Sequence, residues 1–371
     1  MARTRRFTEV EIPKGARLFA ALPPPDPSKL GPLRNLLGAW EAKGTGWNMI
    51  ALPFVDRNVN PPANTFRILM NQYDERLIFD FVDDDVPNRG LLRRDRTDGK
   101  SDQLIATLDY QQAIEQVAAT DFPASGPAED LVGPVGLPIH HEPGLWMFHD
   151  DFVSKDDVFP DGKVEAELKV ARLASIPHGN SLLALGTAQP DLPGMPPIPK
   201  LNSLPSGRFA DVRDGAEDVN VDAYLAPYQH FVNSPFMGNV PGGSAFPGFN
   251  PADMNEILRF ANQGVNIVRT TVLSVDTTRK NAGIRNIPFS VREAEPVSMR
   301  STFWIQELAE HVEGRPDQPK LRLQYSQVVM LNFFHPRQDG LPERAAWPHV
   351  SIATLEKTFY PENPVGGLPR V

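Results

Sequence analysis

The chain has 371 residues and contains no cysteine. This absence excludes disulfide bonds, thiolate-ligated zinc, iron–sulfur clusters and a cysteine nucleophile. Any metal ion would therefore have to be held by His, Asp, Glu, Tyr or Met side chains.

Long apolar runs are absent as well. No segment approaches the ~18–20 consecutive apolar residues that a membrane-spanning helix needs, and the N-terminus lacks the apolar core of a secretory signal. Acidic residues outnumber basic residues by 46 to 37, and their charge is spread along the chain. We therefore expect a cytoplasmic protein that binds neither nucleic acid nor membranes.

Three common catalytic motifs are also missing. The G-x-S-x-G elbow, the phosphate-binding P-loop and a G-x-G-x-x-G segment at the start of a helix do not occur. These absences disfavour hydrolase, kinase and dinucleotide-binding functions.

Proline and glycine are plentiful, with 38 and 27 residues. They are densest in AQPDLPGMPPIPKLNSLPSG (188–207) and NSPFMGNVPGGSAFPGFNP (233–251). These runs predict an irregular insertion with short helices over residues 186–255, inside a single domain that spans residues 1–371. The segment NPADMNEILRFANQG (250–264) predicts a helix, since Pro251 suits the first turn and Gly264 suits the exit.

Strand signals lie on both sides of this insertion. TFRILMNQYDERLIFDFVD (65–83) predicts a hairpin with its turn near residues 72–75, and GIRNIPFSVREAEPVSM (283–299) predicts a strand. Successive strands joined by short turns, without long helices, indicate an antiparallel meander that closes as a barrel. The predicted fold is mainly β, and the insertion would be a lid or interface over the barrel mouth, or a cover for an edge strand.

Side chains alternate along a strand, so the residues that share a face can be counted. In VEAELKVARLASIPHGN (164–180), Arg172 and His178 fall on the same face as the apolar residues. A buried cation and a buried imidazole both need partners. A ligand carboxylate could pair with Arg172, or both residues could have ordinary internal partners; a bulge near Pro177 would instead turn His178 to solvent.

Histidines also mark two other predicted strands. WPHVSIATLEK (347–357) places His349, Ser351 and Ala353 on one side. If this side faces inward, the two small residues leave room beside the imidazole for a flat group; a purely structural histidine is the alternative. His140 and His141 are adjacent, so one should face the interior, and their spacing is not an established zinc motif.

Four segments together resemble the nitrobindin-like heme-binding β-barrels: LRNLLGAWEAKGTGWNMIALPF (33–54), HHEPGLWMF (140–148), LQYSQVVMLNFF (323–334) and WPHVSIATLEK. The second is similar to the family's His-x-Glu-x-Gly strand, matched by His140 or His141, Glu142 and Gly144. The resemblance implies a calycin-like (FABP/nitrobindin-type) antiparallel barrel that binds heme b, with His349 as the proximal iron ligand. The chain is much longer than compact members and looks more like the larger relatives labelled FABP-like peroxidases.

The function that this resemblance implies is that of a heme-dependent, peroxidase-like oxidoreductase. His178 is the distal catalytic candidate, because an imidazole can carry a proton between the oxygens of a bound peroxide. Arg172 could pair with a heme propionate or polarise a distal ligand. The cofactor pocket would comprise His349, Ser351, Ala353, His140 and His141.

Two other functions stay open. One is a non-catalytic heme protein that binds nitric oxide or another diatomic ligand. The other is a heme-free barrel that carries an apolar small molecule in its lumen. All three functions have a small molecule as the partner, and a homodimer is one option for assembly.

Overall fold

The computed structural model describes residues 29–56, 63–88, 103–124, 132–149, 168–176, 179–204, 225–240, 245–333 and 346–359. Within these ranges the strands are β1 (Gly38–Asp56), β2 (Ala63–Asn88), β3 (Gln103–Phe122), β4 (Pro138–His149), β5 (Val170–Ala174), β6 (Ser181–Pro193), β7 (Ile267–Asp276), β8 (Gly283–Arg285), β9 (Glu295–Val312), β10 (Arg315–Asn332) and β11 (Ala346–Phe359). The helices are a 3₁₀ turn (Gly31–Leu33), α1 (Ala226–Asn233), α2 (Glu256–Ala261) and α3 (Pro288–Glu293).

The strands form one antiparallel sheet in the order β5-β4-β3-β2-β1-β11-β10-β9-β7-β6-β8. Strand β5 also pairs with β6, so the sheet closes in a ring, and the three-residue β8 is attached to β6 outside that ring. Apart from β8, strands that follow one another in the chain are neighbours in the sheet. The prediction of a mainly β, antiparallel fold is confirmed.

The first and last strands of the ring are neighbours. Strand β1 pairs with β2 on one side and with β11 on the other. Asn48 lies directly opposite Ser351 in this pairing, although about 300 residues separate them. The ring therefore brings the inner faces of β1 and β11 together, and His349 lies on one of them.

Strand β2 corrects one sequence-based prediction. Residues 72–75 were expected near a hairpin turn, but β2 continues through them without interruption. Gln72 and Glu75 are buried and have hydrogen-bond partners elsewhere: Gln72 donates to the carbonyl of Gly44, and Glu75 accepts from Gln112 and Tyr325. Polar residues that have such partners can remain inside a sheet.

Residues 283–299 correct a second prediction. The segment was expected to be one strand, whereas it comprises β8, α3 and the first part of β9. Pro288 occupies the first turn of α3, where its fixed φ and missing N–H are tolerated. The apolar residues Phe289 and Val291 of this helix are exposed, so they do not belong to a buried strand face.

The described residues of the predicted insertion that follow β6 include a group that packs on the outer face of the ring. Strand β6 extends to Pro193, so irregular structure begins after that residue rather than at residue 186. The ring of Trp47, which points away from Asn48 on β1, stacks on Phe246 with centroids 5.2 Å apart and also contacts Phe236 and Phe249. The described part of the insertion therefore builds a second hydrophobic layer outside β1.

The helix predicted in residues 250–264 is confirmed in a shorter form. Helix α2 begins at Glu256 and ends at Ala261, and Gly264 follows with φ +73°. In the parts of the chain that the structure describes, no helix is long and apolar enough to cross a membrane.

Candidate functional site

A cavity of about 210 Å³ lies inside the ring. Its wall combines aliphatic and polar side chains from β1, β2, β3, β4, β10 and β11, together with residues that precede β4 or follow β5. Among the described residues, no Asp, Glu, Lys or Arg lines it, and no part of the insertion does. The aliphatic part of the wall includes Ile50, Leu52, Leu69, Ile114, Ile139 and Val329.

A row of polar side chains crosses one wall of the cavity. Asn71 of β2, Asn48 of β1, Ser351 of β11 and Gln327 of β10 are direct partners across four neighbouring strands, and all four line the cavity. Directly paired residues share a face, so the row follows from the strand register. We call these four residues the polar row.

His349 lies beside this row. Asn48 Nδ2 is 2.5 Å from Nε2 of His349 and 3.0 Å from Oγ of Ser351, while Asn48 Oδ1 accepts from Asn71 Nδ2 at 3.4 Å. Because Asn48 donates to Nε2, that nitrogen is an acceptor and the other ring nitrogen carries the hydrogen. Burial lowers the pKa of His349 to about 4, helped by the charge of His140, so the imidazole is neutral at pH 7.

A buried ion pair borders the cavity on the inside of the ring. Arg172 Nη2 donates to Glu142 Oε1 at 2.6 Å, and Arg172 Nε donates to the hydroxyl of Tyr110 at 2.8 Å. Arg172 Nη1 donates to Gln327 Oε1 at 2.7 Å and to Ser301 Oγ at 3.2 Å. Burial alone would raise the pKa of Glu142, but the charges of Arg172 and His140 and its hydrogen bonds outweigh burial and lower that pKa.

A second buried carboxyl group lies behind the cavity wall. Glu75 Oε2 accepts from the hydroxyl of Tyr325 at 2.8 Å, and Oε1 accepts from Gln112 Nε2 at 2.6 Å. The hydroxyl of Tyr73 lies 2.9 Å from that of Tyr325. Burial raises the pKa of Glu75 to about 7 despite these hydrogen bonds. A carboxyl group that titrates near neutral pH is thus separated from the cavity by Tyr325 and Gln112.

A glycine makes room for this second group. Gly46 lies opposite Tyr73 across β1 and β2, and a Cβ atom at Gly46 would be 2.0 Å from the Tyr73 ring. The missing side chain lets the ring lie over β1 and reach Tyr325. Gly46, which lies in the segment 33–54 that carries the family resemblance, therefore has a packing role.

Three of the five residues predicted for the cofactor pocket line the cavity, and two do not. His349, Ser351 and His140 line the cavity, as a ligand site requires, and His140 Nε2 lies 3.2 Å from Glu142 Oε2. His141 is exposed on the other face of β4, which confirms that one member of the pair faces inward. Ala353 is buried opposite Tyr325 and does not line the cavity.

The structure describes only one of the two residues that were predicted to be catalytic. Arg172 is buried and has Glu142, Gln327 and Ser301 as internal partners, and it does not line the cavity. His178 lies outside the described residues. The catalytic role of either residue stays a prediction.

Sequence reasoning missed Asn48, Asn71, Gln112, Gln327 and Glu75. Strand alternation could have found Asn48 and Asn71, because each is a polar residue on a strand face that otherwise carries apolar side chains. The others depend on partners in distant strands, which a local pattern does not reveal.

The residues and the volume of the cavity can be compared with what a metal ion or a heme group requires. Among the described residues, no group of three or more His, Asp or Glu side chains is placed to hold a metal ion. A neutral His349 has the protonation state of an iron ligand. However, a cavity of about 150 Å³ holds benzene, so the space here suits a single substituted ring rather than a porphyrin, and Nε2 of His349 already accepts from Asn48. In this conformation the cavity does not enclose a heme.

Comparison of the chain with protein-family models, with curated proteins and with solved structures gives no match.

Proposed function

We propose that the protein binds one small, uncharged organic molecule, about the size of a substituted ring, inside the strand ring. The cavity of about 210 Å³ is the observation that carries this proposal. It is smaller than the ~300–1,000 Å³ pockets typical of drug-sized ligands and larger than the ~150 Å³ that accommodates benzene.

The chemistry of the wall supports an uncharged ligand. Aliphatic side chains provide contact area for an apolar body. The described wall carries no acidic or basic side chain apart from two histidines, and His349 is neutral at pH 7. A charged molecule would lose its hydration without a compensating partner, so a neutral one is favoured.

The test is the binding of toluene by saturation-transfer NMR and by thermal unfolding, with benzoate as the charged counterpart. We expect toluene to bind and to raise the unfolding temperature, because a ligand that binds only the native state stabilises it. Benzoate should have no effect.

A matched pair of variants locates the binding. Val329→Phe places a ring in the cavity beside His349, whereas Val297→Phe makes the same change at a position that is 43% exposed on β9. Val329→Phe should abolish the toluene response, and Val297→Phe should retain it. Absence of toluene binding, or an equal response in both variants, would overturn the proposal.

Heme b is the second candidate, and the observation in its favour is the neutral imidazole of His349 on the cavity wall. If heme is the ligand, we propose a barrel of the calycin-like type. Its function would be either a peroxidase-like activity or the binding of nitric oxide. Holding a heme would require Asn48 to leave Nε2 and the cavity to widen.

A hemin titration followed by absorption distinguishes the two candidates. His349→Ala removes the candidate ligand, and His141→Ala changes an exposed histidine as the control. A saturable Soret band that His349→Ala abolishes and His141→Ala preserves would replace the single-ring proposal with heme. Absence of a saturable band in the parent protein would exclude heme as the ligand.

A further inference from the structure

Two glutamines on the cavity wall have amide orientations that are fixed by the buried residues Arg172 and Glu75. Gln327 Oε1 accepts from Arg172 Nη1 at 2.7 Å, and Gln112 Nε2 donates to Glu75 Oε1 at 2.6 Å. An amide that accepts from a guanidinium cannot rotate by 180° without placing its NH₂ group against that cation. The reverse holds for an amide that donates to an ionised carboxylate, which is the form of Glu75 above its pKa of about 7.

The free end of each amide follows from this fixation. Gln327 presents its Nε2 donor and Gln112 presents its Oε1 acceptor, since the opposite atoms are engaged by Arg172 and Glu75. No other residue in the described part of the chain hydrogen-bonds either free atom, and neither atom is among those sealed from solvent without a partner. Both side chains are more than nine-tenths buried, and both line the cavity.

The two glutamines lie on the same part of the wall. Gln112 Nε2 is 3.3 Å from the hydroxyl of Tyr325, and Gln327 is the next residue on the same face of β10. Tyr325 itself has no donor to spare, because its hydroxyl donates to Glu75. The wall near Tyr325 therefore offers a ligand one N–H donor and one carbonyl acceptor.

We propose that the ligand carries an uncharged amide-type group, with its carbonyl accepting from Gln327 Nε2 and its N–H donating to Gln112 Oε1. This inference rests on the proposed binding of a single-ring molecule in the cavity and names the polar group of that molecule. The apolar part of the ligand lies against Ile114, Ile139 and Val329, which line the same cavity.

The test compares benzamide with acetophenone, which has nearly the same shape and keeps the carbonyl but replaces NH₂ with CH₃. Dissociation constants are measured by saturation-transfer NMR titration at about pH 8, above the pKa of Glu75, with toluene as the reference that lacks both polar atoms. In the parent protein we expect benzamide to bind about 3- to 10-fold more tightly than acetophenone, the range of one net hydrogen bond. Acetophenone should in turn bind more tightly than toluene.

Three Gln→Met variants assign the two contacts. Gln112→Met should remove the preference for benzamide over acetophenone, and Gln327→Met should remove the preference for acetophenone over toluene. Gln111→Met is the matched control, because Gln111 precedes Gln112 on β3 and is exposed on the opposite face of the strand. This variant should keep both preferences.

The outcomes separate this inference from the proposed function. Equal affinity of the parent protein for benzamide, acetophenone and toluene would overturn the amide inference and leave the cavity as an unselective binding site. Loss of the preferences in Gln111→Met alone would also overturn the inference. Failure of all three probes to bind would overturn the proposed function itself. The comparison within the parent protein decides the inference even if a variant does not fold.

Discussion

Arg172 and Glu142 form an ion pair inside the strand ring, with Nη2 of the arginine 2.6 Å from Oε1 of the glutamate. Both side chains are almost completely buried, and the guanidinium also lies 5.3 Å from the ring centroid of Tyr110. The pair connects β4 with β5, the strand that closes the ring through β6.

Removal of the arginine should strongly destabilise the protein. Arg172→Met leaves Glu142 buried without its main partner, which typically costs about 3–5 kcal/mol in the free energy of unfolding. The double variant Arg172→Met/Glu142→Gln should lose less than Arg172→Met alone, because no uncompensated charge remains. Urea unfolding measures these values.

Arg300→Met is the control, since Arg300 is 76% exposed and pairs with Asp276; its effect should stay below about 1 kcal/mol. Equal losses for Arg172→Met and Arg300→Met would contradict the prediction.

Glu75 should make stability decrease as the pH rises. Its pKa is about 7 in the folded protein and 4.5 ordinarily, so the native state keeps a proton that the unfolded chain has lost between these values. The stabilising contribution is present below pH 4.5 and is lost as the pH rises through 7. As the pH rises from about 4.5 to about 8, the parent should therefore lose about 3 kcal/mol in its free energy of unfolding relative to Glu75→Gln. This value corresponds to about 1.4 kcal/mol per unit of pKa shift.

Urea unfolding at several pH values measures this change. Glu115→Gln, at an exposed position of β3, should leave the shape of the pH profile unchanged. Identical profiles for Glu75→Gln and the parent would show that Glu75 is ionised in the native state throughout this range.

His349 should have the opposite effect on the pH profile. Its pKa falls from 6.5 to about 4 on folding, so between these values the unfolded chain binds a proton that the native state does not. Stability is then lost as the pH decreases from 6.5 towards 4. His349→Gln should reduce this acid-induced loss by about 3 kcal/mol, measured by the same unfolding series. His141→Gln, at an exposed position, is the control, and an equal change in both variants would count against a buried neutral His349.

The outer layer over β1 should contribute to stability through Trp47. Trp47→Ala removes a buried ring that contacts three phenylalanines of the insertion, and truncations of this kind cost about 3–5 kcal/mol. Phe289→Ala removes an aromatic ring that is 62% exposed on α3 and should cost less than about 0.5 kcal/mol. Thermal or urea unfolding of the two variants tests the difference. A small effect of Trp47→Ala would mean that the insertion packs only loosely on the ring.

Strand alternation predicted the parts of the site that depend on local pattern. It placed Arg172 on an inward face and His349 on the same face as Ser351, and the structure shows Arg172 buried and the other two residues lining the cavity. These predictions succeed because the side-chain period of a strand is fixed, whatever the partner strands are.

The failures came from residues whose environment is built by distant parts of the chain. Residues 72–75 were expected near a turn, but Glu75 is buried inside the sheet, where a carboxyl group is costly unless it has partners. Its partners Gln112 and Tyr325 lie 37 and 250 residues away along the chain, so no local window contains the reason for its burial. In α3 the error was the reverse: Phe289 and Val291 suggested a buried strand, but both are exposed.

The pairing of β1 with β11 has a consequence for the order in which the molecule is assembled. Asn48 and His349 are 301 residues apart, so the contact between them forms only after nearly all of the described chain has been synthesised. Until β11 docks, β1 and β10 each expose an unpaired edge, the kind of surface on which chains associate incorrectly. The wall of the cavity and the protection of these edges are thus completed in the same late step, and a nascent chain that lacks β11 has neither.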